Sequence, residues 1–409
     1  ILQNTTFGNQ STGINYISIA NENVVWATAF DGTGSGQNMQ QFTKTNDGGD
    51  SWQSYNIDIG DLNLGVSMIH AYDDQTAWLV AYPRGANQIG GIFKTIDGGE
   101  NWVRQDSALY NTSSSFANVV YFWDENTGFA QGDPINGEFE LYVTENGGEN
   151  WVQVPGSNIP NPLGGEYGYT RQIEINGNNV WYTTNKGRIY KSSDKGNNWV
   201  VYQSPIADFG SAEVNGNISF SDSQNGILVD NSANVYKSVD GGASWDQLTP
   251  NGPVYTSGLC YIDGTNTIFT TGNGSSFSLD GGYSWTPIDT ATHLFVDFYN
   301  EELGWSGAWT QVTGASSTGG VWKWEDFSLD FNQPDNDLNL RYYPNPTNDF
   351  INFVYDGDLT IKVYNILGQE IINTNDKLID LRNYNDGVFI FKIWDFINQK
   401  SKSITIIKK

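Results

Sequence analysis

The sequence has few of the residues that build disulfides, metal centres and basic surfaces. It contains one cysteine, Cys260, two histidines, His70 and His293, and 20 lysines and arginines against 46 aspartates and glutamates. A lone cysteine cannot form a disulfide within the chain, and neither histidine has a second His or Cys at metal-ligand spacing. We expect a buried strand position for Cys260 and core or channel-lining positions for the histidines. The net charge of −26 argues against nucleic acids and anionic membrane surfaces as partners.

Long hydrophobic runs and an N-terminal leader are also missing. No apolar stretch approaches the roughly 20 residues needed to span a bilayer. The chain begins at Ile1 without a basic-then-apolar leader, as expected of an exported protein after signal-peptide removal. Glycine, with 46 residues, and aromatic side chains, with 15 Trp and 22 Tyr, are abundant instead. This composition is typical of a chain with many short strands and turns.

An eight-residue pattern, S/T-x-D-x-G-x-x-W, occurs six times. Only the third copy departs, with Asn in place of Asp. Successive tryptophans are 50, 49, 48, 46 and 40 residues apart, which is the period of a four-stranded propeller blade. The three defining positions of the six copies are Asp47, Gly49 and Trp52; Asp97, Gly99 and Trp102; Asn146, Gly148 and Trp151; Asp194, Gly196 and Trp199; Asp240, Gly242 and Trp245; and Asp280, Gly282 and Trp285.

Each copy is predicted to close a β-hairpin between the third and fourth strands of a blade. The Asp accepts backbone N–H groups, the Gly takes positive φ, and the Trp packs over the turn. A seventh period lacks the pattern, but residues 303–305 and 321–324 repeat its two-strand signature. Residues 1–6 are predicted to supply the outer strand of that blade, which removes an exposed sheet edge. We expect seven blades, with six or eight as alternatives.

The repeated pattern resembles the Asp-box, or BNR, propellers. This group includes sialidases, sortilin-like receptors, some xyloglucan-cleaving glycosidases and relatives of the photosystem II assembly factor. Residues 121–130, leading to the box at 144–148, look most like the last family. The resemblance covers about residues 1–327 and implies a propeller whose boxes serve the structure on the face away from the ligand.

The charge distribution predicts a second domain. Residues 341–409 contain nine Lys or Arg and eight Asp or Glu, a net charge of +1, which leaves −27 on residues 1–340. The polar stretch 330–337 reads as a linker. We therefore predict a propeller at 1–327, a linker at 328–340 and a small Ig-like β-sandwich at 341–409, so the whole chain is expected to be all-β.

The C-terminal segment resembles the type A sorting domain of type IX secretion cargo from the Bacteroidetes. It opens with the residues Tyr-Pro-Asn-Pro-Thr at 343–347 and ends in two lysines. The resemblance implies export through the periplasm and outer membrane and recognition by the translocon and an outer-membrane shuttle β-barrel. It also implies cleavage in the linker for some members. An Ig-like binding appendage is the alternative. The residues expected to carry recognition are Pro344, Asn345, Pro346, Gly368, Leu381, Gly387, Lys408 and Lys409.

Enzymatic activity has weak support in the sequence. A sialidase needs three arginines that converge on a carboxylate, together with a Tyr–Glu nucleophile and an Asp acid. The propeller segment has four arginines, and no Arg-Ile-Pro motif is present: Arg84, Arg104, Arg171 and Arg188. A secreted glycoside hydrolase of the Asp-box group stays an alternative, because 38 acidic residues supply carboxylate pairs by chance.

A ligand site is predicted on the face opposite the boxes, where the long connections lie. These are residues 31–40, 83–91, 133–140, 155–170 and 310–320. On the fourth inner strand, Glu166, Tyr167, Tyr169 and Arg171 combine aromatic rings with both charges, which suits sugar or peptide recognition; a solvated rim is the alternative. Residues 31–36 could wrap a calcium ion but do not match the EF-hand spacing, so no metal or cofactor is predicted. We expect an exported cargo protein whose propeller is a non-catalytic glycan- or protein-binding module.

Overall fold

The chain folds into two β-rich units, residues 1–325 and residues 326–409. The structure is a computed structural model that describes residues 2–9, 11–313, 316–325, 338, 340–365, 370–395 and 400–409. Apart from a 3₁₀ turn at Gly156–Asn158, the regular elements in these ranges are β-strands. None of the described helical segments is therefore long and apolar enough to cross a membrane. The prediction of an all-β fold is confirmed.

The strands of the first unit pair into antiparallel groups, which we number as blades in chain order. A single strand, β1 (Leu2–Asn4), precedes them. Blades 1 to 3 comprise β2 (Thr12–Ile19), β3 (Val25–Asp31), β4 (Gln41–Thr45) and β5 (Gln53–Asn56); β6 (Gly65–Ala71), β7 (Ala77–Tyr82), β8 (Gly91–Thr95) and β9 (Val103–Arg104); and β10 (Ala117–Phe122), β11 (Gly128–Ile135), β12 (Glu138–Thr144) and β13 (Trp151–Gln153).

The remaining blades continue the same order along the chain. Blades 4 to 7 comprise β14 (Gly168–Asn176), β15 (Asn179–Thr184), β16 (Arg188–Ser192) and β17 (Trp199–Gln203); β18 (Gly216–Phe220), β19 (Gly226–Asp230), β20 (Val235–Ser238) and β21 (Asp246–Gln247); β22 (Gly258–Tyr261), β23 (Ile268–Ser278) and β24 (Thr286–Thr292); and β25 (Val296–Asn300), β26 (Leu303–Thr313) and β27 (Ser316–Glu325).

The innermost strands form a closed ring. Each of β2, β6, β10, β14, β18 and β22 contacts the innermost strand of the next blade, and β25 contacts β2. The N-terminal strand completes the last blade, because β1 pairs antiparallel with β27 from Leu2–Trp322 to Asn4–Gly320. This confirms the prediction that the N-terminus supplies the missing outer strand. Closure in this way covers the strand edge that blade 7 would otherwise expose.

Blade 6 departs from the expected four strands. Its repeat is the shortest, with 40 residues between Trp245 and Trp285. In place of the second and third strands of a four-stranded blade it has one continuous strand, β23, which pairs with β22 through its first half and with β24 through its second half. The short repeat leaves too few residues for a separate connection between two middle strands.

The boxes form hydrogen-bonded turns at the ends of the third strands. In the fourth box, Asp194 Oδ1 accepts from Ser192 Oγ at 2.8 Å and from the Asn198 N–H at 2.8 Å. Gly196 has φ +89° and donates its N–H to Ser192 Oγ at 2.9 Å, while Trp199 Nε1 donates back to the Gly196 carbonyl at 2.8 Å. A positive φ of this size favours glycine. The box therefore fixes the turn through side chains and backbone together.

Asparagine reproduces the same turn in the third box. Asn146 Oδ1 accepts from Thr144 Oγ1 at 3.0 Å and from the Asn150 N–H at 2.9 Å. An amide oxygen supplies the acceptor that a carboxylate supplies in the other boxes. The substitution of Asn for Asp in this repeat thus preserves the turn.

Lysines one residue before a box connect neighbouring blades. Lys44 Nζ donates to the Gly98 carbonyl in the second box at 2.9 Å, and Lys94 Nζ donates to the Gly147 carbonyl in the third box at 2.9 Å. Lys191 Nζ reaches the Ser223 carbonyl of blade 5 at 2.8 Å. Burial lowers the pKa of Lys94, and its Nζ donates a hydrogen bond to the Gly147 carbonyl. The box of one blade is therefore also the anchor for the preceding blade.

Buried tryptophans reinforce these connections. Trp78 is fully buried, stacks on Phe122 of blade 3 with ring centroids 3.5 Å apart, and donates from Nε1 to the Gly147 carbonyl at 3.2 Å. Trp181 repeats the arrangement with Phe220 at 4.2 Å and the Gly241 carbonyl at 3.0 Å. Such stacked pairs add to the apolar area that each interface buries.

The second unit is a small sandwich of two antiparallel sheets. Its core includes Leu338 and Leu340, so it extends into the segment predicted as a linker; the rest of residues 328–340 lies outside the described residues. The two sheets, each in its order of pairing, are β28 (Arg341–Tyr343), β29 (Phe350–Val354) and β32 (Leu378–Asp380); and β31 (Glu370–Thr374), β30 (Thr360–Tyr364), β33 (Gly387–Asp395) and β34 (Lys400–Lys408).

A box carboxylate can be tested with a matched amide. Asp194→Ala removes the acceptor for Ser192 and Asn198, and we expect it to lower the free energy of unfolding by about 1–2 kcal/mol. Asp194→Asn should cost clearly less, because Asn146 forms the same turn in the third box. Urea denaturation of the three proteins measures both changes. Equal losses for Ala and Asn would show that the acceptor oxygen does not stabilise the turn.

Candidate functional site

A cavity of about 470 Å³ runs along the centre of the ring. Its walls come mainly from the innermost strands, and all seven blades contribute to them. The volume lies within the roughly 300–1,000 Å³ of small-molecule sites. Cys260 is a buried residue of β22 in this wall, as predicted.

Two carboxylates are enclosed in the cavity and a third lies at its rim. Glu174 Oε2 accepts from Ser219 Oγ at 3.1 Å, and Asp297 Oδ1 accepts from the Phe298 N–H at 2.9 Å. Burial raises the pKa of Asp297 to about 7 and the pKa of Glu174 well above its usual range; the two carboxylates also repel each other. Asp263 is exposed at the rim, and partial burial raises its pKa as well. Sequence reasoning assigned no role to these three residues.

Arg171 is the basic residue in the cavity wall. It lies at a β-bulge in β14, between Gly168 and Ile173, and has φ +66°, a region that non-glycine residues seldom occupy. Its guanidinium Nη1 donates to the Asn15 carbonyl oxygen at 3.1 Å and also to Asn15 Oδ1, on the innermost strand of blade 1. The bulge therefore aims this side chain across the cavity, where its partner is a neutral residue.

Aromatic rings form much of the remaining wall. Tyr16 packs against Phe295 with centroids 5.2 Å apart, and Tyr121 packs against His70 at 4.4 Å. Burial lowers the pKa of His70 to about 4 and raises the pKa of Tyr121 to about 12, so both rings are neutral near pH 7. Of the core and channel-lining positions predicted for the histidines, His70 occupies a channel-lining one.

The second histidine belongs to a buried hydrogen-bonded chain. His293 Nδ1 lies 2.7 Å from Ser306 Oγ, and His293 Nε2 lies 3.0 Å from Asp289 Oδ1. The residue types are those of a hydrolase triad, but Ser306 is fully buried and His293 is 1% exposed. A substrate cannot reach this serine, so the geometry supports the predicted core position of His293.

The residues predicted as a ligand face do not form one patch. Glu166 is buried in an ion pair with Arg188, with Oε2 and Nη1 2.8 Å apart, and its Oε1 accepts from Thr184 Oγ1 at 2.7 Å. Tyr167 and Tyr169 pack edge to face at 5.5 Å, and Tyr167 is 42% exposed. Arg171 points into the cavity. Two tyrosines thus remain at the surface opposite the boxes.

The loops of that face are shorter than the sequence indicated. Residues 133–140 belong largely to β11 and β12, which meet in a tight turn at residues 136–137. Most of residues 310–320 extend β26 and β27, while residues 314–315 lie outside the described part. The sequence pattern missed these extensions because the first segment carries the turn residues Pro134, Asn136 and Gly137 and the second is rich in Gly, Ser and Thr.

The four arginines of the propeller lie with separate partners. Arg84 Nη2 donates to the Gly36 carbonyl at 3.1 Å, and Arg104 pairs with Asp106 at 2.6 Å. Arg188 pairs with Glu166, and Arg171 with Asn15. They do not converge on one point as a carboxylate-binding triad would.

The Asp31 turn is satisfied by its own loop. Asp31 accepts from Thr33 Oγ1 at 2.6 Å, Ser35 Oγ at 2.7 Å and the Gln37 N–H at 3.1 Å. Across the described ranges, no three His, Cys, Asp or Glu side chains group closely enough to hold a metal ion.

The Pro-Asn-Pro motif of the second unit lies along the edge of β34. Asn345 Nδ2 donates to the Thr405 carbonyl at 2.9 Å, and Asn345 Oδ1 accepts from the Ile407 N–H at 3.0 Å. The Lys409 N–H donates to the Thr347 carbonyl at 2.9 Å. These bonds replace a neighbouring strand and shield the last half of an edge that would otherwise be free to pair.

The other predicted recognition residues divide between surface and core. Pro344, Pro346, Gly387 and Lys409 are exposed, whereas Leu381 is fully buried. Lys408 Nζ pairs with Asp386 Oδ1 at 2.8 Å, and the Lys408 side chain is 10% exposed. Gly368 lies outside the described residues.

The raised pKa of Asp297 predicts a pH-dependent stability. An unfolded aspartate titrates near pH 3.9, so between about pH 4 and pH 7 the folded protein binds more protons than the unfolded chain. The stability contributed by protonated Asp297 is lost as the pH rises to about 7. Asp297→Asn keeps a neutral side chain, so its stability relative to wild type should rise between pH 4.5 and 8 by on the order of 2 kcal/mol.

Chemical denaturation at both pH values measures this difference. The exposed Asp50→Asn is a matched control, for which we expect little change between the two pH values. A constant difference between Asp297→Asn and wild type would contradict the burial of this carboxylate.

Comparison with known proteins supports both units. Residues 82–209 match the family model of the photosynthesis system II assembly factor YCF48, and residues 341–408 match the secretion system C-terminal sorting domain. No curated protein is significantly similar in sequence. A solved structure of YCF48 bound to D1 peptide has a TM-score of 0.55 and 14% identity, covering 80% of this chain and 95% of that one. YCF48 from Cyanidioschyzon merolae has a TM-score of 0.55 and 15% identity, covering 79% and 98%.

At these identities the likeness to YCF48 is one of fold. The sorting domain indicates where the protein is located, because it directs proteins to the type IX secretion route. The chain therefore joins an Asp-box β-propeller similar to the photosystem II assembly factor to a C-terminal sorting domain of the type IX secretion system, and it is exported to the cell surface or the extracellular space.

Proposed function

We propose that the protein is type IX cargo whose propeller is a non-catalytic module for binding a glycan or a protein. Residues 341–409 would be recognised by an outer-membrane shuttle β-barrel and the translocon. The observation that carries the proposal is the match of residues 341–408 to the sorting-domain model, in a separately folded unit with a hydrogen-bonded C-terminus. The exposed surface of Pro344, Pro346 and Lys409 offers a contact area beside that C-terminus.

The chemistry of the propeller supports binding without catalysis. A triad serine must be open to its substrate, and Ser306 is fully buried. A sialidase needs arginines that converge on a carboxylate, and the arginines of the propeller have separate partners.

The surface opposite the boxes supports ligand recognition. Tyr167 is 42% exposed, and its ring orientation is set by edge-to-face contact with Tyr169. Tyr169 donates its hydroxyl to Asp208 Oδ1 at 2.5 Å, so this second ring is held in place. A rigid tyrosine with one polar tip is a common contact for sugars and peptides because little side-chain entropy is lost on binding.

The secretion partner can be tested by capture from outer-membrane extract. The full chain should retain an outer-membrane β-barrel, identified by mass spectrometry, because the sorting unit is present. A chain that ends at Glu325 is the control and should retain none; circular dichroism verifies that its propeller is folded. Capture of the same barrel by both proteins would overturn recognition through residues 341–409.

The ligand surface can be tested on glycan and peptide arrays. Tyr167→Ala should weaken the best array ligand at least about tenfold, as expected for an exposed aromatic anchor. Tyr283→Ala is the matched control, since Tyr283 is 50% exposed in the sixth box on the other face. Equal affinity of Tyr167→Ala and wild type would place the ligand elsewhere.

A further inference from the structure

The central cavity holds acidic groups that the ring leaves without an ionic partner. Asp297 Oδ1 accepts from the Phe298 N–H at 2.9 Å and lies 4.0 Å from Cys260 Sγ, but Asp297 Oδ2 receives no donor from the described residues. No ion pair to Glu174, Asp263 or Asp297 is formed within the described ranges either. Enclosing carboxylates in protein is unfavourable unless a cation or several donors compensate them.

Arg171 does not provide that compensation. Its guanidinium Nη1 is engaged by Asn15 on the far side of the cavity. Among the described residues of the cavity wall, the other group that could carry a positive charge is His70. Burial lowers its pKa to about 4, so this ring is neutral near pH 7. Burial raises the pKa values of Glu174 and Asp297, and a cation bound beside them would stabilise their ionised forms. With three carboxyl groups and one engaged arginine, the cavity therefore favours a positively charged ligand.

The walls favour an organic cation over a metal ion. In the part of the chain that the structure describes, three metal-ligating side chains do not come together. Burial raises the pKa of the Cys260 thiol, so this sulfur stays protonated and is a poor metal ligand. The rings of Tyr16, Tyr121 and Phe295 contribute π faces and edges, which attract organic cations through their quadrupoles and bury alkyl groups.

The arrangement of the acids selects among organic cations. Glu174 is on the innermost strand of blade 4 and Asp297 on that of blade 7, so their oxygens approach the cavity from different blades. A guanidinium is planar and matches a single carboxylate through two parallel bonds, whereas an ammonium presents three donors in different directions. Acceptors from separate strands therefore suit the ammonium better.

We propose that the central cavity binds a primary alkylammonium group, held by Glu174 and Asp297 and surrounded by the rings of Tyr16 and Tyr121. A lysine side chain or a free aliphatic amine has this chemistry. The site is separate from Tyr167 and Tyr169, so it does not depend on the surface interaction proposed above.

Isothermal titration of the full chain with pentylamine tests the proposal. Pentylamine should bind, while 1-pentanol, which has the same alkyl chain without the charge, should bind at least about tenfold more weakly because it cannot compensate a carboxylate. A titration with calcium chloride tests whether the cavity binds a metal ion, and it should give no saturable heat. These comparisons use only wild-type protein, so they hold even where a substitution impairs folding.

Substitutions then locate the binding site. Glu174→Gln with Asp297→Asn removes the two carboxyl groups that can ionise beside a bound ammonium and should weaken pentylamine binding at least about tenfold. Glu100→Gln with Asp50→Asn removes two charges from exposed box positions and should leave the affinity unchanged. The single substitutions Glu174→Gln and Asp297→Asn replace the pair if the double variant loses its circular dichroism signal.

Three outcomes would overturn the proposal. Equal binding of pentylamine and pentanol would show that charge is not recognised. Equal weakening by the cavity pair and the surface pair would assign binding to the general acidity of the chain. Saturable calcium binding that the cavity substitutions abolish, without pentylamine binding, would identify a metal site in place of an amine site.

Discussion

The hydrogen bonds between a box and the preceding blade are the interaction on which the propeller depends. The box turn exposes a glycine carbonyl, and the lysine of the previous blade reaches it, as Lys94 reaches Gly147. Trp78 donates to the same carbonyl and stacks on Phe122, so a polar contact and an aromatic contact fix one interface. A turn that serves only its own hairpin would not explain why lysine precedes the box in several repeats. The shared carbonyl does, because it ties the turn geometry of one blade to the position of its neighbour.

Closure of the ring creates the central cavity and its unusual electrostatics. The innermost strands carry side chains that face one another across a narrow space, so the carboxyl groups there lose water and keep few hydrogen-bond donors. Glu174 and Asp297 come from different blades, and neither has a cation among the described residues. The bulge in β14 turns Arg171 toward Asn15, away from a direct pair with these acids. The ring thus places two carboxyl groups without a cationic partner at its centre, and burial raises the pKa values of both.

The sorting unit protects the exposed edge of its last strand in a different way from the propeller. Propeller blades end in an outer strand whose edge is short, and β1 covers the last blade. In the sandwich, the amide of Asn345 pairs with the backbone of β34 and so covers the last half of that strand. The propeller and the sorting unit therefore protect their strand edges by different means, the first with a paired strand and the second with a side-chain amide.

The sequence by itself determined the all-β fold, the repeat period, the N-terminal closing strand and the sorting domain, because each of these follows from local patterns. Several strands, such as Ala77–Tyr82 and Asn179–Thr184, begin and end where the alternation of apolar residues and the turn residues indicate. Tertiary structure alone decided that Glu166 is buried against Arg188, that Arg171 crosses the cavity and that Glu174 and Asp297 share it. The bulge that aims Arg171 has no sequence signature, and the pair of Glu166 and Arg188 forms when the strands of blade 4 fold together. Closure of the ring brings Arg171 to Asn15 and places Glu174 and Asp297 in one cavity, because these residues come from different blades.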